Sequence, residues 1–83
     1  MLQLRIVSPE KVEYDGVVEN VLVPGAMGQF EILTNHAPII SLLGKGEVVY
    51  TNADGKHSIV ISGGFVEVQK NRVSLCVELH AYE

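Results

Sequence analysis

Two side chains that can move a proton, Glu31 and His36, lie in one short segment of this sequence. An imidazole exchanges a proton near neutral pH, so the pair is a candidate for general acid–base catalysis. No serine or cysteine beside them forms a recognisable nucleophile motif. An enzyme built on this pair would need a deep pocket around His36. We favour the alternative interpretation, in which His36 makes a loop hydrogen bond or contacts a partner, and we expect no catalytic residue.

Histidines are also the first residues to consider as metal ligands. His36, His57 and His80 stand alone, without the close spacing of common zinc motifs. A metal site needs three or four converging ligands. We therefore expect no metal site and no bound cofactor.

Four glycines suggest a phosphate-binding loop at first sight: Gly25, Gly28, Gly44 and Gly46. A phosphate cradle needs closely spaced glycines that open a helix, often followed by Lys-Ser or Lys-Thr. Here the segment after Gly28 has the pattern of a strand, and Lys45 is followed by a glycine. The glycines are therefore predicted to form turns.

Lys56 suggests a different function, that of a small carrier domain. It follows Asp54 and Gly55 near a predicted hairpin tip, where small all-β carrier domains hold lipoate or biotin. Such domains place an acidic residue or a methionine directly beside the lysine, whereas here the neighbours are Gly55 and His57. A solvent-exposed hairpin lysine is the simpler interpretation. A lipoyl- or biotinyl-type carrier domain modified on Lys56 is the alternative function.

The segment 24–38, which holds both Glu31 and His36, is predicted to be a loop, a short strand and a second loop. Phe30 and Ile32 alternate with polar neighbours, which is the period of a strand with one buried face. Pro38 ends the pattern because it has no N–H and pushes the preceding residue out of the helical region. Loops held by a rigid scaffold commonly carry recognition.

The remaining sequence is a series of short apolar–polar alternations separated by turn signals. Asp15-Gly16, Asn52–Gly55, Gly63-Gly64 and Lys70-Asn71 are predicted turns. No apolar period of 3.6 residues persists, so seven to ten strands of an all-β sandwich or barrel are expected. Residues 1–83 are expected to form one domain. The candidate strands are 2–7, 11–14, 17–23, 29–32, 47–51, 56–62, 65–69 and 72–79.

Composition excludes several classes of protein. The net charge is −4, with ten acidic and six scattered basic residues, which argues against a nucleic-acid groove or direct binding to an anionic membrane. Cys76 is the single cysteine, so the chain cannot form an internal disulfide, and this favours a reducing compartment. The Cys76 side chain is expected to be half-buried in the last strand. No signal peptide and no apolar run of about 20 residues is present, so any membrane association is expected to depend on another chain.

The order and spacing of several motifs resemble one known family, the epsilon subunits of F-type ATP synthases. The resemblance extends over essentially all of residues 1–80, and the blocks from Gly28 to Pro38 and from Ser62 to Val68 are its most specific parts. The motifs that carry it are VSPE (7–10), YDG (14–16), VPG (23–25), GQFEIL (28–33), HAP (36–38), Gly46, SGGFVEV (62–68) and NRV (71–73).

This resemblance implies a fold and a function. The N-terminal domain of the family is a flattened sandwich of two antiparallel five-stranded sheets, with about ten short strands. It lies at the foot of the central stalk, binds the gamma subunit and rests on the polar loops of the membrane c-subunit ring. A non-catalytic rotor subunit on the cytoplasmic face of a bacterial inner membrane is therefore implied. No nucleic-acid partner is expected, and the membrane is contacted only through the complex.

The resemblance also implies which residues make the contacts. Gln29, Phe30 and Glu31 resemble the loop that touches the c ring. The family often has an acidic residue at position 29 and a glycine at position 31, so the negative charge is moved along by two positions here. The positions that resemble those facing gamma are Ser8, His36, Ala37, Pro38 and Ser41.

Two further expectations concern the surface and the length. Most family members continue into a C-terminal helical hairpin that can inhibit ATP hydrolysis, whereas these 83 residues end before it. The 83 residues are either a naturally short member, which we favour, or a shortened version of a longer chain, and as given they are expected to lack that inhibitory element and a nucleotide site. One face should stay apolar to bind gamma, because the sequence has more apolar groups than a thin core requires. These are Val17, Val18, Val21, Leu22, Val23, Ile39, Ile40, Leu42 and Leu43.

Overall fold

The computed structural model describes residues 1–79, which form eight β-strands and no helix. Over these residues there is accordingly no helix that could cross a membrane. The strands are β1 (Leu2–Val7), β2 (Val12–Val18), β3 (Asn20–Gly25), β4 (Gly28–Ile32), β5 (Ile39–Leu43), β6 (Gly46–Asn52), β7 (Gly55–Gln69) and β8 (Arg72–Leu79).

The strands form the two layers of a β-sandwich, and the all-β fold class is confirmed. One layer has the order β2-β1-β8-β7-β5, and the other has the order β4-β3-β6-β7. Strand β7 belongs to both layers, and a single pair, Gly25 with Leu43, joins β3 to β5. The structure differs from the expectation in detail, because the described residues form eight strands rather than about ten and β1 pairs with β8 in parallel.

The core lies between the two layers and is built by alternation. On β1 the side chains of Leu2, Leu4 and Ile6 are at most 1% exposed, while the residues between them face solvent. Each such side chain stabilises the fold by about 1.5–3 kcal/mol through the apolar surface it removes from water. The other buried core residues are Val18, Val21, Val23, Ile32, Leu43, Val48, Ile61, Val66, Val68, Val73, Leu75 and Val77.

The prediction of a turn at Gly63-Gly64 is wrong. Strand β7 runs through both glycines for 15 residues and passes from one layer to the other there. The register against β8 shifts between Ile61 and Gly63, which is a β-bulge. Gly64 has φ +147°, and a Cβ atom at that position would overlap the main chain of Cys76 and Val77. The two glycines therefore allow a bend within one strand rather than a reversal.

The prediction of a turn at Asp15-Gly16 is also wrong. Both residues lie inside β2, where Asp15 pairs with Arg5 and Gly16 with Leu4. Glycine fits at this position because the ring of Tyr14 covers it, and a Cβ atom on Gly16 would lie 2.8 Å from the Tyr14 hydroxyl. Strand pairing with β1 has overridden the local turn preference.

The segment 17–23, predicted as one strand, is instead divided at Glu19 between β2 and β3. Val18 is buried at the end of β2, while Val21 and Val23 are buried in β3. The amide N–H of Glu19 donates a hydrogen bond of 2.8 Å to the carbonyl of Thr51 in the second layer. Apolar groups occur on both faces of the segment because the chain changes layers in the middle of it.

An aromatic cluster links the β2 edge of the first layer to β6 of the second. The ring centroids of Tyr14 and Tyr50 are 4.5 Å apart, and those of Tyr50 and His57 are 5.3 Å apart. The Tyr14 hydroxyl donates to the carbonyl of Val17 and accepts from the amide of Asn52, at 3.2 and 3.3 Å. Burial, and secondarily the nearby Tyr14 hydroxyl, raise the pKa of the Tyr50 hydroxyl above its ordinary value.

We expect Tyr14→Phe to destabilise the fold by about 1 kcal/mol, because it removes both of these hydrogen bonds and keeps the ring stack. Tyr14→Ala should destabilise it by about 2 kcal/mol or more, because the ring that covers Gly16 and packs on Tyr50 is lost as well. Urea unfolding at pH 7 measures both. Equal stabilities for the two variants would show that the ring contributes nothing.

Candidate functional site

The acid–base pair considered from the sequence is not assembled in the structure. The Nδ1 atom of His36 lies 2.7 Å from the carbonyl oxygen of Ala37, so this nitrogen carries the proton. The carboxylate of Glu31 instead accepts a hydrogen bond of 3.0 Å from the side-chain amide of Asn20. His36 does not line any of five surface depressions found on residues 1–79. Glu31 and His36 therefore bond to other groups and do not form an acid–base pair.

The other candidate chemistries find no assembled site either. Within residues 1–79, no three His, Cys, Asp or Glu side chains converge as metal ligands, and His80 lies outside the described residues. Lys56 pairs with Thr51 inside the β6–β7 ladder, next to the Ala53-Asp54 turn rather than at its tip. Cys76 is exposed, so the expectation of a half-buried thiol is wrong, because its side chain lies on the outer face of β8.

The β3–β4 hairpin presents the residues that were predicted to contact the c ring. Its tip is the two-residue turn Ala26-Met27, where Met27 is fully exposed. Gln29 and Glu31 are exposed on β4, whereas Phe30 is partly buried and packs against the core. The Phe30 ring lies over Gly25, where a Cβ atom would be 2.8 Å from it. Two polar side chains are therefore accessible on a hairpin that the phenyl ring anchors.

The loop with His36, Ala37 and Pro38 is held in place by a pair of asparagines. The Asn35 N–H donates to the Asn71 side-chain oxygen at 2.6 Å, and the Asn71 amide donates back to Asn35 at 3.2 Å. Both residues have positive φ values of 69° and 62°, a conformation that asparagine tolerates better than most residues. This pair ties the loop to the β7–β8 turn, so Ala37 and Pro38 are exposed on an ordered segment.

Ser41 and Ser8, the two serines predicted to face gamma, lie in different environments. Ser41 is partly buried on β5, between the exposed Ile40 and Leu42. Ser8 is only 5% exposed. Its hydroxyl donates to the Glu13 carboxylate at 2.9 Å and accepts from the N–H of Lys11 at 3.3 Å. The side chain of Ser8 therefore shapes the β1–β2 turn.

An apolar row crosses the outer face of the five-stranded layer. Its members are cross-strand neighbours, and at the usual strand spacing the row is about 19 Å long. Ile40 extends it on β5 and is 76% exposed, while Leu42 is 69% and Phe65 44% exposed. An apolar surface of this size on a small domain commonly marks a binding site. The residues of the apolar row are Val12, Val7, Cys76, Phe65 and Leu42.

Sequence reasoning found only part of this surface. Of the nine apolar residues proposed as surplus, Ile40, Leu42 and Val17 are exposed, whereas Val18, Val21, Val23 and Leu43 are buried. Phe65 was missed, although it alternates out of phase with the buried Val66 and Val68. A large aromatic residue at an outward position of a strand was the available signal.

Comparison with known proteins agrees with this architecture. The family model described as "ATP synthase, Delta/Epsilon chain, beta-sandwich domain" matches residues 1–80. The ATP synthase epsilon chain of Leptospira borgpetersenii is 40% identical over 77 residues, which are 93% of this chain and 61% of that protein. The cyanelle ATP synthase epsilon chain of Cyanophora paradoxa is 41% identical over 81 residues, covering 98% of this chain and 61% of that protein.

Solved structures support the fold. A chain in the Euglena gracilis mitochondrial ATP synthase structure (OSCP/F1/c-ring) has a TM-score of 0.84 at 22% identity, covering 92% of this chain and 49% of that one. A chain in the Tetrahymena thermophila mitochondrial ATP synthase central stalk/c-ring structure has a TM-score of 0.76 at 15% identity. The chain thus spans about three fifths of the curated relatives that it matches. This chain belongs to the family of ATP synthase delta/epsilon chain β-sandwich domains.

Proposed function

We propose that this chain is a non-catalytic rotor subunit of a proton-translocating F-type ATP synthase, in which it joins the gamma subunit to the c-subunit ring. The relatives that support this are named ATP synthase epsilon chains. The neighbouring solved structures are titled as ATP synthase assemblies that include the c ring. In this proposal residues 1–83 act as one sandwich domain, peripheral to the membrane on the cytoplasmic face of a bacterial inner membrane.

The apolar row is the surface we assign to gamma. It runs from the β1–β2 turn, which Ser8 shapes, to Leu42 on strand β5. Strand β5 also carries Ser41 and follows the His36–Pro38 loop. A shallow depression along it is lined mainly by apolar atoms, with Pro9, Phe65 and Cys76 among its residues. Burying such a surface against a second protein supplies the affinity, and the surrounding polar residues supply the register.

The hairpin surface around Gln29, Phe30 and Glu31 is the one we assign to the c ring. The exposed side chains that β4 contributes, those of Gln29 and Glu31, are polar, which suits a contact with polar loops that has to hold a register. The negative charge of this surface comes from Glu31, whose carboxylate is fixed on the sheet by Asn20. The surface is therefore ordered before any partner binds.

The observation that carries the proposal is the direct main-chain connection between the two surfaces. The Ala26 N–H, in the hairpin turn, donates to the carbonyl of Leu42 in the apolar row at 2.9 Å. The Gly44 N–H donates to the carbonyl of Pro24 at 2.7 Å. A packed β-sandwich has low compressibility, so a force applied at the hairpin reaches the apolar row with little deformation. That is the mechanical property a rotor coupling requires.

We expect the double substitution Gln29→Ala with Glu31→Ala to weaken binding to the c ring by about 10- to 30-fold, because the accessible polar groups and the only charge on β4 are lost. The measurement is binding of each chain to a gamma–c-ring assembly, followed by ATP-driven proton pumping after reconstitution. Unfolding in urea should change by less than about 1 kcal/mol, since both side chains are exposed.

The matched control is Glu67→Ala with Gln69→Ala, which removes the same two residue types at the same spacing from an exposed face of β7. We expect this control to retain ring binding. Coupled pumping by the Gln29/Glu31 variant at the wild-type level would contradict the assignment of the hairpin to the ring.

A further inference from the structure

Strand β4 has one open edge. It pairs with β3 alone and ends the strand order of the second layer, so its far side has no strand partner within residues 1–79. Unpaired main-chain groups at a sheet edge are ready to bind another molecule, and short or charged edge strands limit unwanted pairing. β4 is five residues long and carries Glu31. Which main-chain groups it presents follows from the hydrogen bonds of β3.

Pro24 reveals the direction of those groups. Its carbonyl accepts the Gly44 N–H and therefore points toward β5, away from β4. Pro24 is the ladder partner of Gln29. In an antiparallel pair, opposite residues point their main-chain groups either both toward each other or both away. The N–H and C=O of Gln29 consequently point to the open edge, and those of Glu31, two residues further on, do the same.

We propose that this main-chain edge of β4, rather than the side chains alone, binds the ring in the assembly described under the proposed function, on which this inference rests. Gln29 and Glu31 present two N–H donors and two carbonyl acceptors, spaced by about 7 Å at the usual rise of a strand. A partner segment that lies along the edge meets these groups whatever side chains β4 carries. These main-chain groups are unchanged by side-chain substitutions at positions 29 and 31, so they contribute to binding in addition to the side chains.

The chemistry of the edge selects its partner. β4 also carries the exposed carboxylate of Glu31, which accepts a hydrogen bond of 3.0 Å from the side-chain amide of Asn20. This carboxylate adds acceptor oxygens to the strand, and the chain as a whole has a net charge of −4. A polar segment rich in hydrogen-bond donors, with a guanidinium or ammonium group near Glu31, complements this arrangement.

Proline substitution separates main-chain from side-chain binding. Gln29→Pro removes an outward N–H that makes no ladder bond to β3, and proline is tolerated at such positions of edge strands. The preceding residue, Gly28, has no Cβ atom to clash with the proline ring. Gln29→Ala is the matched control because it removes the side chain and keeps the N–H. For binding to the gamma–c-ring assembly, we expect a loss of about 10-fold for Gln29→Pro and of less than about 3-fold for Gln29→Ala.

Amide hydrogen exchange tests the same inference without substitution, in case the proline variant does not fold. The amides of Gln29 and Glu31 should exchange rapidly in the free chain, because they have no ladder partner, and at least 10-fold more slowly when the assembly is bound. Unchanged exchange at both amides in the bound state would overturn the inference. So would equal affinities of folded Gln29→Pro and Gln29→Ala.

These outcomes differ from a failure of the proposed function. If the wild-type chain does not bind the assembly at all, the rotor role itself is wrong. A second case is that the wild type binds and the double variant Gln29→Ala with Glu31→Ala binds more weakly, while Gln29→Pro binds as well as Gln29→Ala and amide exchange does not slow on binding. In that case only the main-chain inference is wrong. A wild-type dimer in sedimentation that Gln29→Pro dissociates would assign the edge to a second copy of the chain and overturn the inference.

Discussion

Replacing Phe65 with glutamate should lower the affinity of this chain for gamma by about 100-fold while leaving the sandwich folded. Phe65 lies at the centre of the outer face, between Cys76 and Leu42, and is 44% exposed. Aromatic residues at the centre of a protein–protein interface typically account for 2 kcal/mol or more of binding free energy, and a charge without a partner adds a desolvation penalty. A combined loss of about 2.7 kcal/mol corresponds to that factor.

The control for this prediction is Gln69→Glu, which adds the same charge to the same face of β7 but away from the apolar row. Its affinity for gamma should stay within about 3-fold of the wild type. Titration calorimetry with purified gamma measures both variants, and circular dichroism verifies the fold. If Phe65→Glu binds gamma with the affinity of the wild type, the apolar row is not part of the gamma interface. If the assignment is right, Leu42→Glu should lower the affinity for gamma in the same way.

Gly64→Ala is expected to have the largest effect on stability, a loss of about 3 kcal/mol. At φ +147° an L-residue is strained, and the added Cβ would meet the Cys76 carbonyl and the Cα of Val77, which belong to the neighbouring strand. Strained backbone positions contribute about 1–3 kcal/mol, and here the main chain of β8 also has to move. A domain of this length has a total stability of about 4–12 kcal/mol, so the variant should be only marginally stable.

Gly63→Ala is the matched control, one residue away in the same bend. A Cβ atom there would lie 3.7 Å from the carbonyl oxygen of Leu43, which is an ordinary van der Waals contact. We expect it to change stability by less than about 1 kcal/mol. Thermal unfolding should separate the two variants by about 15 °C for a domain of this size. Similar melting temperatures for Gly63→Ala and Gly64→Ala would contradict the role given to the bend.

The bend in β7 also connects stability to function. The residues before it pair with β6 in the second layer, and Phe65 directly after it belongs to the apolar row. A change at Gly64 should therefore disturb the position of Phe65 as well as the fold. The gamma affinities of Gly64→Ala and Phe65→Glu should be compared only under conditions in which both variants are folded.

Alternation was a reliable guide wherever a strand has one buried face. Leu2, Leu4 and Ile6 on β1 and Val73, Leu75 and Val77 on β8 are buried as their spacing predicts. Phe30 and Ile32 face inward on β4, and Gln29 and Glu31 face outward. This succeeds because the two-residue period is a local property of an extended chain, independent of which strand lies beside it.

Turn signals failed where tertiary pairing opposed them. Asp15-Gly16 and Gly63-Gly64 have the composition of turns, yet both lie inside strands that pair with a neighbouring strand on each side of the two residues. Their glycines accommodate an aromatic ring in one case and a main-chain carbonyl in the other. The requirement at Gly64 cannot be read from the local sequence, because the main-chain group that excludes a side chain there belongs to β8.

The all-β class, the alternating core and, through the motifs, the family could be predicted from the amino-acid sequence alone. Three features became visible only in the folded chain: β7 belongs to both layers, Phe65 joins an apolar row with Val7 and Cys76, and Gln29 points its main-chain groups to an open edge. The difference arises because the burial period is a property of a single strand, whereas a surface is formed by strands that are distant in sequence. Which groups meet across β1, β8, β7 and β5 depends on the pairing register, and that register is settled by packing of the whole sandwich.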